Sequence, residues 1–114
     1  MKVVLLRGSC GNARTCPNIN LSDRDTYVVQ GYIVASEQQV SSDEAVVEVP
    51  LSLLPELSGA TLQDGLALTN HGTLHIRGRQ VTDPAVLGEL DLPSGENAVE
   101  IPRALLPELV MVDA

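Results

Sequence analysis

The sequence contains no phenylalanine and no tryptophan, and Tyr27 and Tyr32 are its only aromatic residues. A core centred on large rings is therefore excluded. The interior has to be filled by Val, Leu and Ile, whose branched side chains suit a pleated sheet. Basic residues are scarce as well: 7 Lys and Arg stand against 15 Asp and Glu, a net charge of −8. That balance argues against nucleic acid as a partner, because Lys and Arg must replace the counterions condensed on phosphates. Long apolar runs are missing too. No stretch approaches the ~20 residues of a membrane-spanning helix, and the run after Lys2 is shorter than the ~7–15 residues of an export signal. The expectation is a soluble, cytoplasmic protein with no membrane partner. Cysteine is limited to Cys10 and Cys16, too few for a disulfide framework. Nor does the sequence carry G-x-S-x-G, H-E-x-x-H or G-x-x-x-x-G-K-[ST], the short patterns that place a nucleophile, a metal or a phosphate. It is read as a non-enzyme.

What the sequence does have is a sentence written twice. Residues 44–57, EAVVEVPLSLLPEL, align with 96–109, ENAVEIPRALLPEL, with nine identities in fourteen at an offset of 52. Upstream, YVVQGYIV (27–34) lies over LHIRGRQV (74–81) at an offset of 47, so that Gly31 matches Gly78 and Val34 matches Val81. Each copy reads as a strand with a central Gly, which signals a bulge or a close backbone approach. A polar connector follows, then a second strand. Each copy ends in a Pro-led segment, whose second Pro limits it to one or two short turns. The longer connector of the second copy carries Asp83-Pro84, a cap followed by Pro at the first helical position. Between the copies, Asp64-Gly65 and Asn70-His71-Gly72 are turn signals around LALT and TLHI, which predicts a β-hairpin. Alternation places Leu74 and Ile76 on one face, with His75 and Arg77 on the other.

These elements predict one mostly-β domain over residues 1–114, with six to eight short strands and short helical turns. It divides into a basic Cys-containing arm (1–24), a first repeat half (27–57) and a second (74–109). Half a unit of this size cannot bury its own apolar face, so two copies related by a pseudo-twofold axis, as a small barrel or sandwich, supply each other's missing wall.

Charge and apolarity mark the candidate sites. Residues 1–24 hold Lys2, Arg7, Arg14 and Arg24 against Asp23, a net of +3, leaving −11 on the remainder. Such an arm, with Arg7 and Arg14, either meets an acidic partner or folds back on its own acidic body. The C-terminal Val110, Met111 and Val112 form an apolar tail, and a terminus this apolar suggests a docked or self-associating surface. Cys10, Cys16, His71 and His75 are four groups that zinc accepts, spaced C-x5-C and H-x3-H. The same cysteines are also candidates for a labile disulfide with Arg7 and Arg14 lowering a thiol pKa, or for two unligated thiols in a loop. Glu48 and Glu100 occupy matched positions before each Pro. They either line one cleft as paired acids or face water.

Two resemblances follow from the motifs. Cys10, the Cys16-Pro17 pair, DRDTYVVQGYIV (23–34) and VEVPLSLL or VEIPRALL resemble a set of small actinobacterial proteins, a likeness that implies no particular activity. VEVPLSLLPELSGATLQDGLALTNHGTLHIRG is similar to the AbrB/MazE swapped-hairpin family in its strand, Pro turn, Gly turn, hairpin order. That resemblance implies a DNA-binding regulator or an acidic antitoxin. The family's DNA binders cluster basic residues around the Pro turn, where this sequence has Arg103 in the second copy and none in the first. The leading expectation is a regulatory module that binds a protein partner or forms a homo-oligomer. Behind it stand a metal- or redox-responsive module and then an AbrB-like DNA binder.

Overall fold

The computed structural model describes residues 2–8, 16–34, 43–57, 59, 61–90, 92 and 94–106. Seven strands form one antiparallel sheet: β1 (Val3–Gly8), β2 (Asn18–Ser22), β3 (Thr26–Ile33), β4 (Glu44–Pro50), β5 (Leu66–Leu68), β6 (Thr73–Gln80) and β7 (Glu96–Pro102). One helix, α1 (Pro84–Leu90), and three 3-10 turns (Leu51–Leu53, Pro55–Leu57, Arg103–Leu105) complete the described elements. The mostly-β expectation with short helical turns holds at this level. The predicted hairpin is β5–β6, turning at Asn70-His71-Gly72.

The described residues of the stretch 1–24 are not a free arm. They supply β1 and β2, which pair with each other, and β2 pairs on with β3. The register of β1 on β2 shifts between Leu5 and Arg7, a bulge that leaves Arg7 opposite Ile19. Its sequence, VVLLRG, explains why it stays: branched side chains favour the pleat, and the apolar ones find a core to join.

Strands β3, β4, β6 and β7 are joined by four sets of pairings: β3–β4, β4–β6, β6–β7 and β7–β3. The registers of the long pairings match across the offsets of the sequence repeat. Val29 faces Val99 as Ile76 faces Val47, and Tyr27 faces Ile101 as Leu74 faces Val49. The short pairings match likewise, Tyr32 with Glu48 as Arg79 with Glu100. Both glycines sit where these strands cross. A Cβ on Gly31 would lie 2.7 Å from the carbonyl oxygen of Glu48 and 2.9 Å from Val49, and one on Gly78 would lie 2.7 Å from that of Glu100 and 2.6 Å from Ile101. No side chain fits there, because a backbone oxygen cannot move aside as a flexible side chain does.

The main core lies on the face carrying Tyr27, Val29, Val47, Val49, Leu74, Ile76, Val99 and Ile101, closed at its ends by Leu53, Leu54, Leu57 and Leu106 from the Pro turns. Removing each such aliphatic side chain from water contributes about 1.5–3 kcal/mol. Of the repeated Leu residues, Leu53, Leu54, Leu57 and Leu106 are interior, Leu105 is partly buried and Leu109 lies outside the described residues; the second Pro of the first copy begins a separate short turn. A smaller cluster lies apart, where Val86 and Leu90 of α1 cover Val3, Val28, Val81 and Ala98. Helix α1 starts where Asp83 Oδ1 accepts the Ala85 N–H at 3.0 Å. This is the expected cap, with Pro84 inside it.

Candidate functional site

Three side-chain assemblies merit comparison. Two occupy matched positions at the strand crossings, and the third ties β1 to the body.

In the first, the turn between β2 and β3 folds over Ser22, whose Oγ accepts the N–H groups of Arg24 (3.0 Å) and Thr26 (3.2 Å). Ser22 and Thr26 hydroxyls lie 2.6 Å apart, and Thr26 Oγ1 donates to Glu100 Oε2 at 2.5 Å. Arg24 Nε stands 3.7 Å from the same oxygen. In the second, the turn between β5 and β6 folds over Thr69, whose hydroxyl accepts the N–H groups of His71 (3.3 Å) and Thr73 (3.2 Å). Thr69 and Thr73 hydroxyls are 2.7 Å apart, and Thr73 Oγ1 donates to Glu48 Oε2 at 2.6 Å. His71 Nε2 lies 2.9 Å and His75 Nε2 3.5 Å from that oxygen. The Thr73 hydroxyl, and after it His71, hold the Glu48 carboxyl below its ordinary range, since hydrogen bonds to the charged form favour it.

Each assembly locks a turn to the strand of the other repeat copy. The hydroxyls at 22, 26, 69 and 73 were not singled out from the sequence. Their signal was present in the 47-residue offset, which carries Ser22 onto Thr69 and Thr26 onto Thr73.

The third assembly centres on Arg7. Its guanidinium is buried. Nη1 donates to the carbonyl of Leu53 at 3.2 Å and to Glu56 Oε1 at 2.7 Å, and Nη2 donates to Glu56 Oε2. This bidentate pair lowers the Glu56 carboxyl and raises Arg7. Arg7, read either as meeting an acidic partner or as folding back on its own body, is turned inward onto that body. Its aliphatic stem follows the interior direction of β1, and the Pro-turn carbonyl with Glu56 replaces water around the charge. Arg14 and the tail Val110, Met111 and Val112 lie outside the described residues.

The four expected zinc ligands fare unequally. Cys16 is disulfide-bonded, and the sequence holds one other cysteine, Cys10, which lies outside the described residues. A sulfur committed to a disulfide offers no thiolate to a metal. This also corrects the expectation of two free thiols. His71 and His75 converge on Glu48, and among the described residues no group of three or more His, Cys, Asp and Glu is arranged to hold a metal ion.

An open cleft of about 550 Å³ lies over the β6–β7 crossing. Arg24, Arg77 and Arg79 line it together with Asp25, Glu44, Asp64 and Glu100. Arg77 pairs with Asp64 at 3.0 Å, while Arg79 is exposed and makes no ion pair among the described residues. Glu100 lines this cleft and Glu48 does not, so the two acids are not paired across one site. On the outer face of β2 and β3 a buried polar row runs from Asn20 to Asn18 to Gln30 and out to Glu96, at 2.7, 3.0 and 3.1 Å. Burial raises the Glu96 carboxyl.

No family model matches the chain, and neither a curated protein nor a solved structure is similar to it. Among the described residues no helix is long and apolar enough to cross a membrane.

Proposed function

We propose that the chain is a non-enzymatic, cytoplasmic interaction module. It is built as an internally duplicated small barrel, and it binds a protein partner or self-associates through its second half. The duplication reading is supported by the matched registers, glycines and hydroxyl–carboxylate assemblies at offsets of 47 and 52. The four sets of pairings around β3, β4, β6 and β7 support the barrel. The swapped-hairpin resemblance agrees with the long pairings, each of which joins strands from different copies.

The observation that carries the binding reading is the cleft beside β5, with Arg24, Arg77 and Arg79 set among acidic side chains. A mixed-charge recess of this kind steers and orients a protein partner rather than a polyanion. Cross-linking of the purified protein over a range of concentrations, and of cells that make it, tests this. The expected result is a discrete cross-linked species that Arg77→Glu and Arg79→Glu abolish. A monomer under all conditions, with no cross-linked partner, overturns it.

The Cys16 disulfide favours a second reading, a redox-responsive module. In a reducing cytoplasm such a bond is labile or regulatory rather than structural. Intact mass before and after a reductant, together with the cross-linking pattern of both forms, tests that reading. Identical patterns for the oxidised and reduced protein count against it.

A further inference from the structure

Strands β2 and β5 occupy matched places, but among the described residues only β2 has its outer edge covered by a strand. β2 pairs with β3 as Ile19 to Val29 and Leu21 to Tyr27, and β5 pairs with β6 as Leu66 to Ile76 and Leu68 to Leu74. On the far side of β2 lies β1, with Arg7 opposite Ile19 and Val4 opposite Leu21. On the far side of β5 no strand pairs among the described residues.

The backbone of that edge is set for a ladder. Gly65 and Thr69 bond to β6 through the Arg77 N–H (2.8 Å) and the Thr73 carbonyl (3.0 Å). Strand alternation therefore turns the backbone groups of Leu66 and Leu68 outward. The Leu66 N–H is held by the Gln63 carbonyl at 3.1 Å. The Leu66 carbonyl, with both groups of Leu68, faces away from the sheet. Leu68 is 47% exposed.

Beside Leu66 lies a groove of about 390 Å³, lined by Leu57, Thr61, Gln63, Leu105 and Leu106. Leu105 matches Leu53, the residue whose carbonyl receives Arg7. At the matched spot Gln63 Nε2 reaches the carbonyls of Ala104 (2.8 Å) and Leu105 (3.4 Å).

We infer that the β5 edge and this groove receive an extended, basic–apolar segment of a partner protein as an added antiparallel strand, in the manner that β1 covers β2. The occupant's chemistry is taken from β1: branched apolar residues along the edge and one arginine reaching the turn carbonyls. The −8 net charge favours a cationic segment over an acidic one. Main-chain bonds supply the affinity of such strand addition, and the pocket beside it supplies the specificity. The inference rests on the interaction reading above and extends its surface from the cleft to the neighbouring β5 edge and groove, with the kind of partner that edge takes.

The probe is the chain's own β1 as a capped peptide, Lys-Val-Val-Leu-Leu-Arg-Gly, titrated into the full-length isotope-labelled protein. The expected result is saturable shifts and amide protection at Leu66, Ala67 and Leu68. Replacing the peptide arginine by glutamate weakens binding at least tenfold, and so does Leu68→Lys in the protein, a change at an exposed side chain. Leu68→Pro, which removes an outward N–H, gives the same loss, with circular dichroism reporting whether the sheet is intact. Protection at residues 18–22 reports exchange with the resident strand and overturns the assignment. Concentration-dependent shifts at 66–68 without peptide mean that a second copy takes the edge, and also overturn it. No binding at millimolar peptide sinks it as well, and if cross-linking still finds a partner, the interaction reading survives without this edge.

Discussion

Two sets of strands that the 47- and 52-residue offsets match, β2 with β5, β3 with β6 and β4 with β7, differ in what lies against them. In the first, β1 closes the outer edge of β2 and sends Arg7 to the carbonyl of Leu53 and the carboxylate of Glu56. In the second, the edge of β5 is uncovered among the described residues, and a groove stands where Arg7 would reach. At the crossings the frame is shared and the charge is not: Thr73 and Glu48 are joined by two imidazoles, Thr26 and Glu100 by one guanidinium. The common parts are those that hold strands together, whereas the differences gather at the surface. The contacts that hold the strands together are thus shared between the matched positions, and the uncovered edge belongs to one of them.

The comparison is most sharply tested at its crossing points. Gly31→Ala and Gly78→Ala each drive a methyl group into a carbonyl oxygen at 2.7 Å. Each is expected to cost about 3 kcal/mol or more, the upper range for overpacking. Chemical denaturation measures both. Costs within about 1 kcal/mol of each other, which is the scatter between like substitutions, sustain the matched crossings. One severe and one silent variant breaks them.

Arg7→Met comes next. It removes the one charged side chain buried among the described residues and leaves Glu56 beside a vacated carbonyl. A loss of about 2–3 kcal/mol is expected, short of the full cost of orphaning a deeply buried ion because Glu56 keeps some water. Arg77→Met is the partner experiment. Arg77 holds Asp64 on an open rim, so its loss is expected to cost about 0.5 kcal/mol or less. Similar losses for the two erase the distinction between a filled and an open half.

Thr26→Val and Thr73→Val probe the shared frame at lower energy. Each keeps shape and removes one hydroxyl donor to a carboxylate, for an expected loss of about 1.5 kcal/mol. The pH dependence separates them from their parent. Glu48 and Glu56 have depressed folded-state values relative to 4.5. The stability they contribute is therefore present above about pH 4.5 and lost as pH falls through the depressed values. Thr73→Val is expected to flatten that acid limb, measured as the denaturation midpoint from pH 6 to pH 3. An unchanged slope removes the hydroxyl as the cause.

Much of this frame was legible in the sequence, because a repeat exposes its own constraints. The 47- and 52-residue offsets mark Gly31 and Gly78, and turn chemistry marks the β5–β6 hairpin. Alternation put Leu74 and Ile76 inside. Part of what stayed illegible had no twin to compare against. β1 precedes the first copy and has no counterpart, so its run of basic and apolar residues looked like an arm. A pattern of local spacing does not tell whether an arginine finds a carbonyl 46 residues away. The disulfide was one of several options for a C-x5-C pair, and spacing alone does not choose among them. The hydroxyl–carboxylate locks join turn residues to a strand of the other copy, a contact made only when the copies interleave.

The smallest effect concerns Glu96 and Glu44, which begin β7 and β4 at matched positions but face different neighbours. Glu44 stands opposite Arg79, Glu96 opposite Tyr32. Desolvation raises the Glu96 carboxyl above 4.5, against the opposing pull of its bond to Gln30. A raised acid favours folding most where it is protonated, below about pH 4.5, and that contribution is lost as pH rises through the folded value. At neutral pH the ionised Glu96 therefore works against the fold. Glu96→Gln keeps an oxygen for the Gln30 amide and carries no charge, so it is expected to stabilise at pH 7 by no more than about 1 kcal/mol, a gain that fades towards pH 4. Glu44→Gln, which removes a charge set across the strand from Arg79 without a direct ion pair between the two, is expected to cost about a few tenths of a kcal/mol or less at pH 7. Thermal midpoints of the two variants at both pH values decide the matter. If both variants shift the same way, the neighbour opposite the carboxylate is not what distinguishes the two copies.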